Sequence, residues 1–149
     1  MNKSILHTSI DLLSRREHSI QEMQKKLKQR EHQSDEIDEV IDYLIANDYL
    51  SEQRFAESMY RMRANKGFGK RYIENELMQK GIHSSLVRDA AEILEIDWYE
   101  QVQAVYDKKY GQSDIKDQKD KAKRIRFLQY RGFSTDEIFA VLNLDEAIN

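Results

Sequence analysis

The sequence predicts an all-α protein of three tandem three-helix repeats, stacked into an elongated, curved molecule. Three observations predict it. Apolar residues recur at helical spacing almost throughout the 149-residue chain, with no comparable stretch alternating at period two. Proline is absent and there are only five glycines, so little in the chain interrupts a helix. One plan of helix, stop, small polar cap and apolar helix also returns at a fixed interval. Leu27, Leu77 and Leu128 stand 50 and then 51 residues apart, followed ten residues later by Ile37, Val87 and Ile138.

Helices are expected at 4–15, 19–31, 35–46, 52–65, 70–80, 85–96, 98–110, 116–131 and 135–144. Ser19 with Glu22 reads as a capping box for the second, satisfying orphan amides of the first turn. Ser34 is the expected cap of the third, whose stripe is Ile37, Val40, Ile41, Leu44 and Ile45. Ser51 opens the fourth, which carries Phe55, Met59 and Met62 as core fillers. The fifth stops at Gly81, because glycine tolerates the left-handed conformation that ends many helices. Ser84 caps the sixth, striped by Leu86, Val87, Ala90, Ala91 and Leu94. Asp97 with Glu100 opens the seventh, where Trp98, Val102 and Val105 read as core. The eighth follows a polar insertion, GQSDIKDQKD, and stops at Gly132, with Phe127, Leu128 and Phe133 packing around that corner. Ser134 with Glu137 opens the ninth. Repeats are accordingly placed at 1–50, 51–96 and 97–149 as one continuous domain; where the second and third have glycines, the first has Glu31.

Composition excludes several classes of function. Without cysteine there is no disulfide framework, thiolate metal site or cysteine nucleophile. His7, His18, His32 and His83 show no i,i+4 pairing, so no metal or cofactor is expected. The GFGK run at 67–70 lacks the spacing and the preceding strand of a phosphate loop. No nucleophile elbow occurs, and the carboxylates are spread as solvated helix faces are; a non-enzyme is expected. No apolar run suits a signal peptide or a membrane span, which points to a soluble cytoplasmic protein.

Charge is more telling than its sum. The net of −3 speaks against a protein that mainly coats nucleic acid. Basic and acidic counts run 7 and 10 over residues 1–50, 8 and 9 over 51–100, and 9 and 8 over 101–149. Two basic clusters stand out. YRMRANKGFGKRY holds Arg61, Arg63, Lys66, Lys70 and Arg71 without an acid, interleaved with Tyr60, Phe68 and Tyr72. The second holds Lys116, Lys119, Lys121, Lys123, Arg124, Arg126 and Arg131 against Asp117 and Asp120. Cations with aromatic neighbours suit phosphate contact and base stacking, and equally suit an acidic protein groove. The competing reading is a solvated helix face with core aromatics, since lysine and arginine form helices well.

Three stretches carry a resemblance: LLSRREHSIQEMQKKL, DYLSEQRFAESMYRMRANKGFGKRYIENELMQKGI and KAKRIRFLQYRGFSTDEI. From about residue 8 to 142 the chain resembles the bacterial RecX family, regulators of the RecA recombinase. The middle stretch is the most specific, with its Arg-Phe-Ala step, glycine-aromatic-glycine corner and helix closing on Gly-Ile. Asn47-Asp48 stands where the family commonly has a glycine, and Ser51 where an acid is usual. Asn47 tolerates left-handed backbone, so the corner is expected to survive there.

The resemblance implies a non-catalytic, monomeric cytoplasmic protein that binds RecA–DNA filaments. Filament extension, ATP hydrolysis and strand exchange would thereby be restrained, placing the chain in recombination, DNA repair and the SOS response. The candidate contact residues are Arg61, Arg63, Lys66, Lys70, Arg71, Lys123, Arg124, Arg126 and Arg131, with weak contact to single- or double-stranded DNA as an accessory. The alternatives are a stand-alone nucleic-acid-binding helical repeat, and an adaptor for some other protein.

Overall fold

A computed structural model describes residues 1–143. Among these residues the chain forms nine helices and no strand. They are α1 (Lys3–Arg15), α2 (Ile20–Gln29), α3 (Ser34–Ala46), α4 (Glu52–Asn65), α5 (Lys70–Gln79), α6 (Ser84–Leu94), α7 (Trp98–Tyr110), α8 (Gln118–Tyr130) and α9 (Thr135–Leu142). The expected last residue of α9, 144, lies outside the described residues.

Two compact units result, one of Met1–Met59 with Leu77–Ile93, the other of Tyr60–Glu76 with the described residues from Leu94 onward. In the first, Ile5, Leu12, Met23, Leu27, Val40 and Leu44 close a core among α1, α2 and α3. In the second, Val102, Tyr106, Leu128, Phe133, Ile138 and Leu142 do the same among α7, α8 and α9. Met62 is not the core filler its spacing suggests; it is exposed, one step off the buried stripe of α4.

Helix starts follow side-chain chemistry more closely than position. Ser19 and Ser134 each complete a capping box, with Glu22 and Glu137. Asp97 accepts from the amides of Tyr99 and Glu100, and Ser51 accepts from that of Arg54. Two expected caps move. Ser34 is already helical, and the acidic first turn, Asp35 and Glu36, complements the helix dipole instead. At α6 it is His83, whose Nδ1 accepts from the Ser85 amide, that stands before the first turn. The eighth helix begins at Gln118 rather than 116, because Asp117 takes the capping role by accepting from Asp120.

Helix ends share one device. After α2, α5 and α8, the amides of His32, Ile82 and Phe133 donate back to the carbonyls of Leu27, Leu77 and Leu128 at 3.1–3.2 Å. Between them Glu31, Gly81 and Gly132 take φ of 65°, 84° and 97°. These are Schellman closures, which demand one left-handed residue. The first repeat thus keeps the corner without the glycine. After α3 the left-handed residue is Asp48 (φ 60°) and not Asn47, which stays near the helical region. The Tyr49 amide fixes that choice by reaching the Leu44 carbonyl at 2.8 Å.

Arg54 shows why the Arg-Phe-Ala step is where it is. Its guanidinium holds Glu17 at 3.0 Å, the Asp48 carboxylate at 3.0 Å and the Asp48 carbonyl at 2.8 Å, while Phe55 and Ala56 are buried beside it. Beside this corner His18 is only 1 % exposed. Its Nδ1 lies 3.1 Å from the Arg16 carbonyl and its Nε2 2.9 Å from Lys26 Nζ. A neutral ring with its proton on Nδ1 satisfies both contacts, donating to the carbonyl and accepting from the ammonium. Burial, with the Arg16 and Lys26 charges, lowers the His18 pKa.

Glu31→Gly should raise the stability of the chain by about 0.5–1 kcal/mol, the relief of left-handed strain less the added unfolded-state freedom. Urea unfolding checks this, and an unchanged or lower midpoint would show that Glu31 is not strained. For His18 the depressed pKa means that the unfolded state binds more protons below the ordinary imidazole value of about 6.5. The stability given by the neutral ring is whole above that pH and drains as pH falls below it, by up to about 1.4 kcal/mol per pH unit. His18→Gln should lose that part of the slope between neutral pH and pH 5. Parallel stability curves for the two proteins would refute the assignment.

Candidate binding groove

The GFGK corner after α4 exists to let two backbones touch. Gly69 donates its amide to the Arg131 carbonyl at 2.7 Å, and Arg71 donates to the Gly132 carbonyl at 3.2 Å. A Cβ on Gly69 would stand 2.6 Å from the Gly132 carbonyl carbon. One on Gly132 would stand 2.5 Å from the Tyr72 amide nitrogen. Such distances have no room for a side chain. Gly67 supplies the left-handed turn at φ 92°, with the Phe68 amide returning to the Arg63 carbonyl.

Beside this interlock the C-terminal end of α4 presents carbonyls without helical partners. Gln101 Nε2 donates to the Ala64 carbonyl and, at 3.4 Å, to that of Phe68. Arg131 Nη1 donates to the Lys66 carbonyl at 3.1 Å. Arg131 also lies over the rings of Phe68 (5.1 Å) and Phe127 (5.2 Å), and Lys109 lies over Phe127 at 4.7 Å. Phe68 in turn stacks on Tyr72, centroids 4.1 Å apart.

The result is a groove of about 770 Å³ between the α4 corner, α7 and α8. Ala64, Ala104 and Val105 give it an apolar floor. Lys66, Lys108, Lys109 and Arg131 give it four cations, and no carboxylate is among the described residues that line it. Ranged cations over a small aliphatic floor can take an anionic partner that also carries apolar surface.

The sequence-derived contact residues fare differently. Lys66 and Arg131, from the two clusters, meet here. Arg61, Lys70 and Arg71 are exposed but do not line the groove. Arg63 is committed to Glu76, holding both carboxylate oxygens at 2.7 and 3.0 Å. Next to it buried Tyr60 donates to Glu74 at 2.8 Å; burial first, and then that bond, hold its phenol far above the ordinary range. Lys123 and Arg126 lie on an exposed stripe of α8 with Lys119 and Tyr130, the last 86 % exposed.

Arg124 is an internal residue and not a surface contact. It is 3 % exposed and donates to the Tyr106 hydroxyl at 2.6 Å and to Asp120 at 3.1 Å. The Ser113 and Asp114 carbonyls accept from it at 2.9 and 3.1 Å, tying down the polar insertion before α8. Its guanidinium also covers the Tyr110 ring at 4.5 Å.

Lys108 and Lys109 were missed by reading α7 only for its core stripe. The signal was present: Gln101, Ala104, Val105, Lys108 and Lys109 fall at i, i+3, i+4, i+7 and i+8. Among the described residues no cluster of His, Asp or Glu is arranged to hold a metal ion. No helix there is long and apolar enough to cross a membrane.

Repeated three-helix units closed by the same corner, with a cation-lined groove, define a helical-repeat protein. Comparison with known proteins makes this specific. Residues 6–44, 51–90 and 95–142 match in turn the first, second and third three-helix domains of RecX. The regulatory protein RecX of Vibrio vulnificus is 39% identical over 140 residues, covering 94% of this chain and 91% of that one. That of Vibrio parahaemolyticus is 37% identical over 138 residues, covering 93% and 89%. The crystal structure of RecX from Lactobacillus salivarius superposes with a TM-score of 0.74 at 24% identity, covering 95% of this chain and 96% of that one. The chain belongs to the RecX family, whose named members are regulatory proteins.

Arg124→Ala should cost about 2–4 kcal/mol, because it leaves a buried hydroxyl and two carbonyls without this donor and takes the guanidinium from Asp120. Arg126→Ala, on the exposed stripe, should change stability by no more than about 0.5 kcal/mol. Thermal and urea unfolding of the two variants side by side decides it; equal losses would contradict the division of the second cluster into an interior and a surface part.

Proposed function

We propose that this chain is a non-catalytic regulator that binds RecA–DNA filaments and restrains their extension, ATP hydrolysis and strand exchange. Membership of the RecX family supports the class of role. The observation that carries the reading to this chain's own residues is the meeting of Lys66, Lys108, Lys109 and Arg131 in one groove, with no carboxylate among the described residues that line it. A regulator of this kind works by differential affinity: it shifts a filament between states only as far as it binds one better than the other. The protein acts as a cytoplasmic monomer in this reading, and needs no cofactor.

A second reading has its own observation. Lys119, Lys123, Arg126 and Tyr130 fall at i, i+4, i+7 and i+11 on α8, all exposed. Three cations and an aromatic in a line of roughly 16 Å are a fit track for a nucleic-acid strand. Direct binding to DNA would then dominate, with log affinity falling with log salt at about −0.7 per single-strand phosphate neutralised.

RecA's single-strand-dependent ATP hydrolysis, titrated with this protein, should fall well before one chain per RecA protomer is reached. Lys66→Glu combined with Lys109→Glu should demand about tenfold more protein for the same inhibition. An unchanged hydrolysis rate, with RecA and DNA both competent, rejects the regulator reading. A steep salt slope for binding to DNA alone, with no effect on RecA, establishes the second.

A further inference from the structure

The groove's chemistry is not that of a phosphate track. The faces of Phe68 and Phe127 that a base would use are occupied by Arg131, and Phe68 is stacked on Tyr72 besides. What is open is a floor of small aliphatic groups, chiefly Ala104 and Val105. Nucleobases find their stacking energy on free aromatic faces, whereas a floor of methyl groups gains from burying aliphatic or aromatic side chains. Around that floor stand Lys66, Lys108, Lys109 and Arg131. The rim selects negative charge and the floor selects an apolar anchor.

We propose that this groove is a docking site for an acidic peptide segment of a partner protein, one that carries an apolar side chain among its carboxylates. The proposal deepens the regulator reading, on which it rests for what docks there in the cell. An extended segment suits the site's size: about 770 Å³ is of the order of a small-ligand cleft and accepts a few side chains. Arg131 gives the segment a fixed point. It is held over two rings and bonded to the Lys66 carbonyl, so little of its freedom remains to be lost on binding. The three lysines supply the steering charge, which raises the association rate and is screened by salt.

The test uses the whole chain and three labelled probes, read by fluorescence anisotropy. The first is a fluorescein-labelled octapeptide, Asp-Glu-Asp-Leu-Phe-Glu-Asp-Glu. The second replaces its Leu-Phe pair by Ser-Ser, and the third is a short oligothymidylate of equal charge. The Leu-Phe peptide should bind at least about tenfold tighter than either control, because only it buries apolar surface on the floor.

Ala104→Glu puts a carboxylate on an exposed helical position of that floor and should weaken the Leu-Phe peptide by about tenfold or more. Lys108→Gln with Lys109→Gln keeps the floor and removes two rim charges, and should weaken the same peptide and flatten its salt dependence. Circular dichroism confirms that each variant is folded as the parent is. Equal binding of the Leu-Phe and Ser-Ser peptides overturns the proposal, as does an Ala104→Glu variant that binds as well as the parent. Tighter binding of the oligothymidylate, with displacement of the peptide, overturns it in favour of a nucleic-acid site. Inhibition of RecA hydrolysis by the unmodified chain is measured in parallel. Inhibition without peptide binding defeats this proposal alone, and peptide binding without inhibition defeats the regulator reading alone.

Discussion

Backbone meets backbone where the corner after α4 reaches the corner after α8, and the geometry of the second unit hangs on that contact. Two amide-to-carbonyl bonds cross it, from Gly69 to Arg131 and from Arg71 to Gly132. They form only because neither glycine carries a side chain into a gap of about 2.5 Å. Everything that makes the groove follows from the approach. It brings Arg131 within reach of the Lys66 carbonyl, sets Phe68 beside Phe127 with the guanidinium over both, and closes one wall against α7. A motif that looks like a phosphate loop in one dimension is a packing device in three.

A smaller rule repeats through the chain. Helix after helix ends in the same hydrogen-bond pattern with one left-handed residue, and the pattern is kept whether that residue is Gly67, Gly81, Gly132, Asp48 or Glu31. The shape of the corner is therefore set by the returning amide, which is carried by buried Ile82 and Phe133 after α5 and α8 and by His32 after α2. The identity of the left-handed residue adjusts only the cost. This is why the corner survives in the first repeat, where Glu31 stands in place of a glycine.

Most of the fold was legible because helical periodicity and capping are local. The stripe of α3, the boxes at Ser19 and Ser134 and the stops at Gly81 and Gly132 are each written within a few residues. What stayed hidden depends on partners distant in sequence. Arg124 looks like any cation of a solvated face until Tyr106, Ser113 and Asp114 fold around it. Arg63 looks free until α5 brings Glu76 alongside. The site was half legible for the same reason: the clusters were visible, and Lys66 and Arg131 within them, but their meeting with Lys108 and Lys109 is a tertiary fact. Asp48 in place of Asn47 was decided by which amide could reach Leu44, and not by intrinsic tolerance of left-handed backbone.

Arg131 gives the groove one stiff cation among three loose ones, and the two kinds answer differently to sequence drift. A lysine at 66, 108 or 109 acts as a point charge on a flexible stem, so its position can wander between neighbouring sites with little loss. The planar guanidinium cannot wander. It serves at once as a lid over two rings and a plug for the carbonyl of Lys66, tasks that need a flat, forked group. The groove therefore tolerates change unevenly: its lysine charges can be supplied from neighbouring positions, and the arginine's double task cannot.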